Sequence, residues 1–337
     1  MEASDRRLLS QIQEDFPLTR RPFLKLARRL DWSEAELLAR ISSLKQAGFV
    51  RRLGAVFDLQ GLGYVGTLCA LNVPPERLEA VAEMINSFPG VTHNYGRDHE
   101  QYNLWFTLAA PTREELVHTL ETIKRRAGID EVLDLPAERR FKIRVRFDLD
   151  RIGAYRGDSR PQERLAPEAI PDRDACSPKV VRPLSEEEKL LVRHFQGDLP
   201  LVERPFLQAA SSLGMTEERV LAGLVGLQRQ GILRRFGAVI DQRRLGLAAN
   251  ALIVWQVPEA EVDAAGRRLA AFAEVTHCYQ RRPAPNWSYN LYTVIHGPTR
   301  RECERLAQEL ARALGYRYPY RLLFSTVAFK RESPRYF

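Results

Sequence analysis

The chain has 337 residues, 45% apolar and 28% charged, with a net charge of +8 and a pI near 9.4, the composition of a globular protein of two or more domains. No apolar run approaches the roughly 18 to 20 residues needed to span a bilayer, and the N-terminus opens into an amphipathic pattern without a signal-peptide core, so a cytoplasmic location without membrane partners is expected. The four cysteines, Cys69, Cys176, Cys278 and Cys303, form no CxxC pair, so neither a disulfide framework nor a zinc site is indicated.

In chain order, Asp5 to Gln13 has helical periodicity, Pro22 to Leu30 is a second short helix, and Ser33 can N-cap a third that runs to Ala47 and stops at Gly48. A β-rich stretch from Phe49 to Asp58 follows, and three helices with a wing predict a winged helix-turn-helix over residues 1–60. Next come a strand at Gly66 to Val73, a helix at Pro75 to Ser87, strands at Val91 to Arg97 and Tyr102 to Leu108, a helix at Thr112 to Ala127 and a last strand ending near Phe147. That βαββαβ order predicts a ferredoxin-like sandwich over residues 61–150.

Residues 151–183, rich in Asp, Arg, Pro and Glu, read as a polar linker. The pattern then starts again. Arg21-Pro-Phe returns as Arg204-Pro-Phe, and Arg51-Arg-Leu-Gly-Ala-Val-Phe-Asp58 as Arg234-Arg-Phe-Gly-Ala-Val-Ile-Asp241. Val91-Thr-His-Asn-Tyr-Gly-Arg97 returns as Val275-Thr-His-Cys-Tyr-Gln-Arg281, and Tyr102-Asn-Leu104 as Tyr289-Asn-Leu291. The expected fold class is therefore α+β, a tandem duplication of a winged helix-turn-helix (184–243 in copy two) plus a ferredoxin-like sandwich (244–337).

Positive charge favours an anionic partner, nucleic acid or a small molecule bearing several carboxylates or phosphates. A winged helix joined to a βαββαβ domain resembles the leucine-responsive regulator (Lrp/AsnC) family, whose wings bind DNA. The candidate recognition helices, however, begin Ser33-Glu-Ala-Glu and Thr216-Glu-Glu-Arg. Carboxylates in the first turn cap a helix and suit its dipole but repel phosphates, so DNA binding is not expected.

Of six histidines, only His93 and His277 occupy equivalent positions. Each is followed by Tyr at i+2 and Arg at i+4, namely Tyr95 and Arg97, Tyr279 and Arg281. On a strand these three side chains share a face and offer an imidazole, a phenol and a guanidinium suited to an anionic substrate. Copy one adds His99 and Tyr102 in the following turn. His118, His194 and His296 read as structural or surface residues. The last strand of copy one alternates Phe141, Ile143, Val145 and Phe147 with Arg140, Lys142, Arg144 and Arg146, either a solvated edge or a carboxylate cradle.

Taken together, Arg-Pro-Phe, the Arg-Arg-Leu-Gly-Ala-Val-Phe-Asp wing, Thr92-His-Asn-Tyr-Gly-Arg-Asp-His99 and Tyr102-Asn-Leu-Trp-Phe-Thr107 resemble the siroheme decarboxylases, a regulator-like family of enzymes found as paired subunits or fused chains. The resemblance implies loss of carbon dioxide from the C12 and C18 acetates of siroheme, giving 12,18-didecarboxysiroheme on the way to heme d1 or another heme. It implies an intramolecular pseudo-dimer and no cofactor beyond the substrate iron. A substrate with eight carboxylates would account for the positive charge.

On that resemblance, His93 and His99 stand near a reacting acetate and one gives the proton, while Tyr95, Arg97, Tyr102, Lys142 and Arg51 hold the substrate. His277, Tyr279 and Arg281 serve a second or degenerate site, and His93 or His277 could instead bind the substrate iron axially. Copy one, with His99, is expected to be the more competent half. A DNA-binding regulator, a non-catalytic tetrapyrrole carrier, and assembly into larger oligomers or with related subunits stay open as alternatives.

Overall fold

The computed structural model describes residues 2–14, 16–143, 149 and 182–337. The linker over 151–181, Cys176, and the Arg144, Val145, Arg146 and Phe147 part of the alternating strand lie outside the described residues.

Three helices open each copy: α1 (Ala3–Glu14), α2 (Pro22–Arg29) and α3 (Glu34–Gln46), then α6 (Glu186–Phe195), α7 (Pro205–Leu213) and α8 (Glu217–Arg229). Ser33 and Glu36 form a reciprocal capping box at the start of α3, and Gly48, at φ +77°, takes the left-handed conformation just beyond its end. The repeated Arg-Pro-Phe has a structural reason. Proline opens α2 and α7, Phe23 and Phe206 are fully buried, and Arg21 and Arg204 pair with the buried Glu34 and Glu217. The first-turn carboxylates are thus committed to caps and ion pairs.

Each wing was expected to belong to its own copy. Instead β1 (Val50–Phe57) pairs antiparallel with β6 (Leu233–Ile240), Gly54 lying opposite Gly237, so one two-stranded sheet serves both copies. Pairing with its counterpart satisfies the backbone of a strand that has no partner in its own copy. Arg52 Nη1 donates to the Gln196 carbonyl at 2.8 Å and Arg235 Nη1 to the Gln13 carbonyl at 2.6 Å, so each wing tethers the first helix of the other copy.

The repeated glycine makes this approach feasible. A Cβ at Gly237 would fall 2.6 Å from the Ile12 carbonyl oxygen and 2.8 Å from that of Gln13. Both obstacles are backbone. Gly237→Ala is therefore expected to destabilise the fold by about 3 kcal/mol through overpacking, seen as a lower midpoint in urea unfolding.

The remaining strands are β2 (Val65–Leu71), β3 (Val91–Arg97), β4 (Leu104–Ala110) and β5 (Val132–Ile143) in copy one, and β7 (Ala249–Trp255), β8 (Val275–Arg281), β9 (Leu291–Gly297) and β10 (Tyr320–Arg331) in copy two. They close into one barrel of order β10-β3-β4-β2-β5-β8-β9-β7. The first half of β5 pairs with β2 and its second half with β8, while β10 joins β7 to β3 in the same way. Closure leaves no edges.

The solvated-edge reading of the alternating strand is therefore wrong for its described part. Arg140 Nη1 meets Asp58 Oδ2 at 2.6 Å, and Lys142 Nζ donates to the Phe272 carbonyl at 2.6 Å.

Helices α4 (Leu78–Asn86) and α5 (Arg113–Ala127) pack outside the copy-one strands, and α9 (Val262–Ala270) and α10 (Arg300–Ala313) outside those of copy two, each pair over its own apolar core. A further buried cluster that includes Trp105, Trp287, Tyr292, Leu135 and Leu323 fills part of the barrel interior. No helix among the described residues is long and apolar enough to cross a membrane.

Candidate active site between the two copies

A single cavity of about 960 Å³ lies between the barrel and the shared wing sheet. Strand alternation puts His93, Tyr95 and Arg97 of β3 on one face, and His277, Tyr279 and Arg281 of β8 on the equivalent face. Both sets line this one cavity. The second set does not form a separate site, because β5 and β10 knit the two sheets into one wall.

The two triads are near copies in geometry. His93 and Tyr95 stack at 6.2 Å between ring centroids, as do His277 and Tyr279. Arg97 Nη1 donates to the Leu323 carbonyl at 2.7 Å and Arg281 Nη1 to the Leu135 carbonyl at 2.5 Å. Each tie runs to a strand that crosses between copies. The Nε atoms of Arg97 and Arg281 are buried with no hydrogen-bond partner among the described residues, an arrangement that costs free energy until an acceptor arrives.

Charge around the cavity is one-sided. Among the described residues, seven arginines line it, Arg51, Arg52, Arg97, Arg234, Arg235, Arg281 and Arg331, against one carboxylate, Glu332. Arg51 donates to the Arg331 carbonyl and its counterpart Arg234 to that of Ile143, which fixes both guanidinium groups near the wing. Burial, then the charges of Arg51 and Arg331, push His93 down to about 4. Burial, then His296, His93, Arg234 and Arg281, take His277 to about 3. Burial also lowers Arg97 to about 10. Near neutral pH the site holds neutral imidazoles among cationic guanidiniums.

Three expected site residues sit elsewhere. His99 Nδ1 accepts the backbone N–H groups of Gln101 and Tyr102 at 3.2 and 3.0 Å, and its ring meets Trp287 edge-on at 5.4 Å, so it shapes the turn after β3 and does not line the cavity. The Tyr102 hydroxyl donates to Glu131 at 2.6 Å, and Lys142 is held by Phe272; neither lines the cavity. Arg51 does.

His296, taken from sequence as structural, is a cavity residue. Ser325 donates to Asn250 Oδ1 at 3.0 Å, which turns the amide nitrogen of Asn250 toward His296 Nδ1 at 3.2 Å. The facing pairs are Asn250 and His296 in copy two but Gly66 and Ala109 in copy one. The additional cavity imidazole thus belongs to copy two, opposite to the expected asymmetry. Aligning the copies through Tyr102-Asn-Leu104 and Tyr289-Asn-Leu291 exposes this substitution of a small apolar pair by a polar one.

Comparison with known proteins agrees with this architecture. Residues 5–51 and 188–234 match the siroheme decarboxylase NirDL-like HTH domain, and residues 61–142 and 244–330 the AsnC-like ligand binding domain. A siroheme decarboxylase of Hydrogenobacter thermophilus is 39% identical over 334 residues, covering 98% of this chain and 94% of that protein.

The chain belongs to the siroheme decarboxylase family.

A siroheme decarboxylase alpha subunit of Desulfovibrio desulfuricans is 47% identical over 150 residues, 44% of this chain and 86% of that subunit, so the family also contains chains near the length of one copy. The crystal structure of the siroheme decarboxylase NirDL in co-complex with an iron-uroporphyrin III analogue superposes with a TM-score of 0.72 at 36% identity, covering 99% of this chain and 94% of that one. Among siroheme decarboxylases, then, this chain is a fused form with both halves around one cavity.

Proposed function

We propose that this protein removes carbon dioxide from the C12 and C18 acetates of siroheme, giving 12,18-didecarboxysiroheme, as a carboxy-lyase in heme d1 or alternative heme synthesis. The observation that carries the reading is the one cavity on which, among the described residues, two His-Tyr-Arg triads and five further arginines converge. A solved family member holds an iron-uroporphyrin III analogue, a ligand of the same polycarboxylate tetrapyrrole class. The arginines match its anionic rim, and their buried Nε donors gain acceptors when carboxylates enter.

In each decarboxylation the bond between the acetate methylene and its carboxylate breaks and carbon dioxide leaves. The electron pair spreads into the macrocycle, and one proton converts the methylene to a methyl group. Arg97 and Tyr95, and Arg281 and Tyr279, orient carboxylates, while Arg51 and Arg234 hold the edge near the wing. Part of what lowers the histidine pKa values is the field of the arginines. A polyanion cancels that part, raises the imidazole pKa and brings a proton into the site with the substrate. Protonated His93 is then the proton donor to the methylene carbon.

The test is anaerobic incubation of the full chain with siroheme, followed by chromatography and mass spectrometry. Loss of two carbon dioxide units is expected. Tetrapyrrole returned with unchanged mass would instead identify a carrier and overturn the reading.

A further inference from the structure

The two triads look interchangeable until the hydroxyls behind their histidines are followed. His93 Nδ1 lies 3.1 Å from Thr92 Oγ1, which lies 2.8 Å from Thr107 Oγ1 on the facing strand β4. Thr107 Oγ1 also accepts the backbone N–H of His93 at 3.2 Å. The Thr107 hydroxyl proton has one acceptor within reach among these contacts, Thr92 Oγ1. The single proton of Thr92 is then directed at His93 Nδ1. An accepting Nδ1 leaves the ring proton of neutral His93 on Nε2.

Copy two repeats this arrangement with one change. The residue facing His277 in the β8–β9 register is Val294, where Thr107 faces His93. No hydroxyl is available from that side. Thr276 Oγ1 instead donates to the Val294 carbonyl at 3.2 Å. A carbonyl oxygen only accepts, so the Thr276 proton is committed and a lone pair faces His277 Nδ1 at 3.0 Å. His277 must donate from Nδ1, and its Nε2 carries no proton.

We infer that Thr107 and Val294 hold the duplicated histidines in opposite tautomers, His93 with its proton on Nε2 and His277 with its proton on Nδ1, so that one cavity presents an imidazole N–H on one wall and an imidazole lone pair on the other. Thr107 is a positioning residue that acts through Thr92. At pH 7.5 an imidazole is neutral, the state in which a tautomer is defined. An N–H donor suits a carboxylate, whereas an imidazole lone pair is what coordinates a metal ion. Resting on the siroheme reading, His277 is then the axial ligand for the substrate iron, and His93 faces a carboxylate.

Nitrogen-15 side-chain spectra of the ligand-free protein at pH 7.5 test the tautomers without any reference to activity. His93→Gln and His277→Gln variants supply the assignments. In the wild type, His93 is expected to show a pyrrole-type Nε2, and His277 a pyridine-type Nε2. Thr107→Val should convert His93 to the Nδ1–H form by recreating the copy-two arrangement, whereas Thr107→Ser should preserve the wild-type signal. Identical tautomers in the wild type, or a His93 signal unmoved by Thr107→Val, overturn the inference.

The iron assignment is tested by anaerobic absorption and electron paramagnetic resonance spectra of added siroheme. A nitrogen-ligand signature lost in His277→Ala and kept in His93→Ala is expected; the reverse pattern, or no such signature in the wild type, overturns it. The nitrogen-15 result stands whether or not siroheme is the substrate.

Discussion

Replacing His93 by alanine is expected to lower kcat for siroheme decarboxylation by about 100-fold or more while siroheme still binds, because a positioned general acid typically contributes that much to a proton transfer. Binding survives because it is spread over the arginines that line the cavity, of which Arg51, Arg97, Arg234 and Arg281 have their guanidiniums fixed by backbone carbonyls. The informative comparison is His99→Ala. His99 accepts two backbone amides and packs on Trp287 in a tight turn, so its loss should lower thermal stability, by about 1 to 3 kcal/mol for the amides left without an acceptor. Steady-state kinetics and thermal unfolding on the same preparations separate the two roles. A His99→Ala enzyme with normal stability and a 100-fold lower kcat would return His99 to the catalytic set.

Acidification should weaken the ligand-free fold while strengthening its grip on a polyanion. His93 and His296 are driven to about 4 and His277 to about 3, chiefly by burial, against about 6.5 for an unfolded histidine. Above pH 6.5 these rings are neutral in both states and stability is flat with respect to them. Between pH 6.5 and about 4 the unfolded chain binds protons that the folded chain refuses, so stability falls with pH, and His277 extends the loss toward pH 3.

For His296, which is 9% exposed, the shift corresponds to roughly 3 kcal/mol at 1.4 kcal/mol per pH unit. The three together make this a large fraction of the stability of a typical domain. Urea unfolding at pH 7.5, 6 and 5 should show a falling midpoint, and His296→Gln should flatten the trend. In the bound state carboxylates offset the arginine field and His93 takes up a proton, so the Kd for siroheme should decrease over the same range. A Kd independent of pH between 7.5 and 5.5 would contradict this linkage.

Much of the frame was legible because duplication marks homologous elements twice. Strands Val91–Arg97 and Val275–Arg281 occur with the predicted bounds, and the face they share follows from the two-residue period alone. The pairing of β5 with β8 and of β10 with β3 was not legible. It joins residues far apart in sequence, and no turn signal encodes it.

That hidden pairing also explains why two sites were expected where one cavity exists. Tyr102 was expected to hold substrate, but its neighbour Asn103 and the equivalent Asn290 hydrogen-bond the backbone of Val73 and Val257 in both directions and extend the sheet by one side chain. This is why β4 starts at Leu104 instead of Tyr102. His296 was missed for the opposite reason. It has no histidine counterpart, because Ala109 stands at the equivalent position of copy one.

The cavity lies where the two copies meet, and both supply its walls. In a homodimer of one such copy, any substitution in the cavity would appear on both walls at once. A threonine that sets one imidazole would set the other, and a histidine added for one purpose would arrive twice. Joining two copies in one reading frame lifts that constraint, so a single codon can change one wall while the other keeps its ancestral form. Thr107 where copy two has Val294, and His296 where copy one has Ala109, are differences of this kind. Fusion here supplies more than proximity: it makes asymmetry heritable.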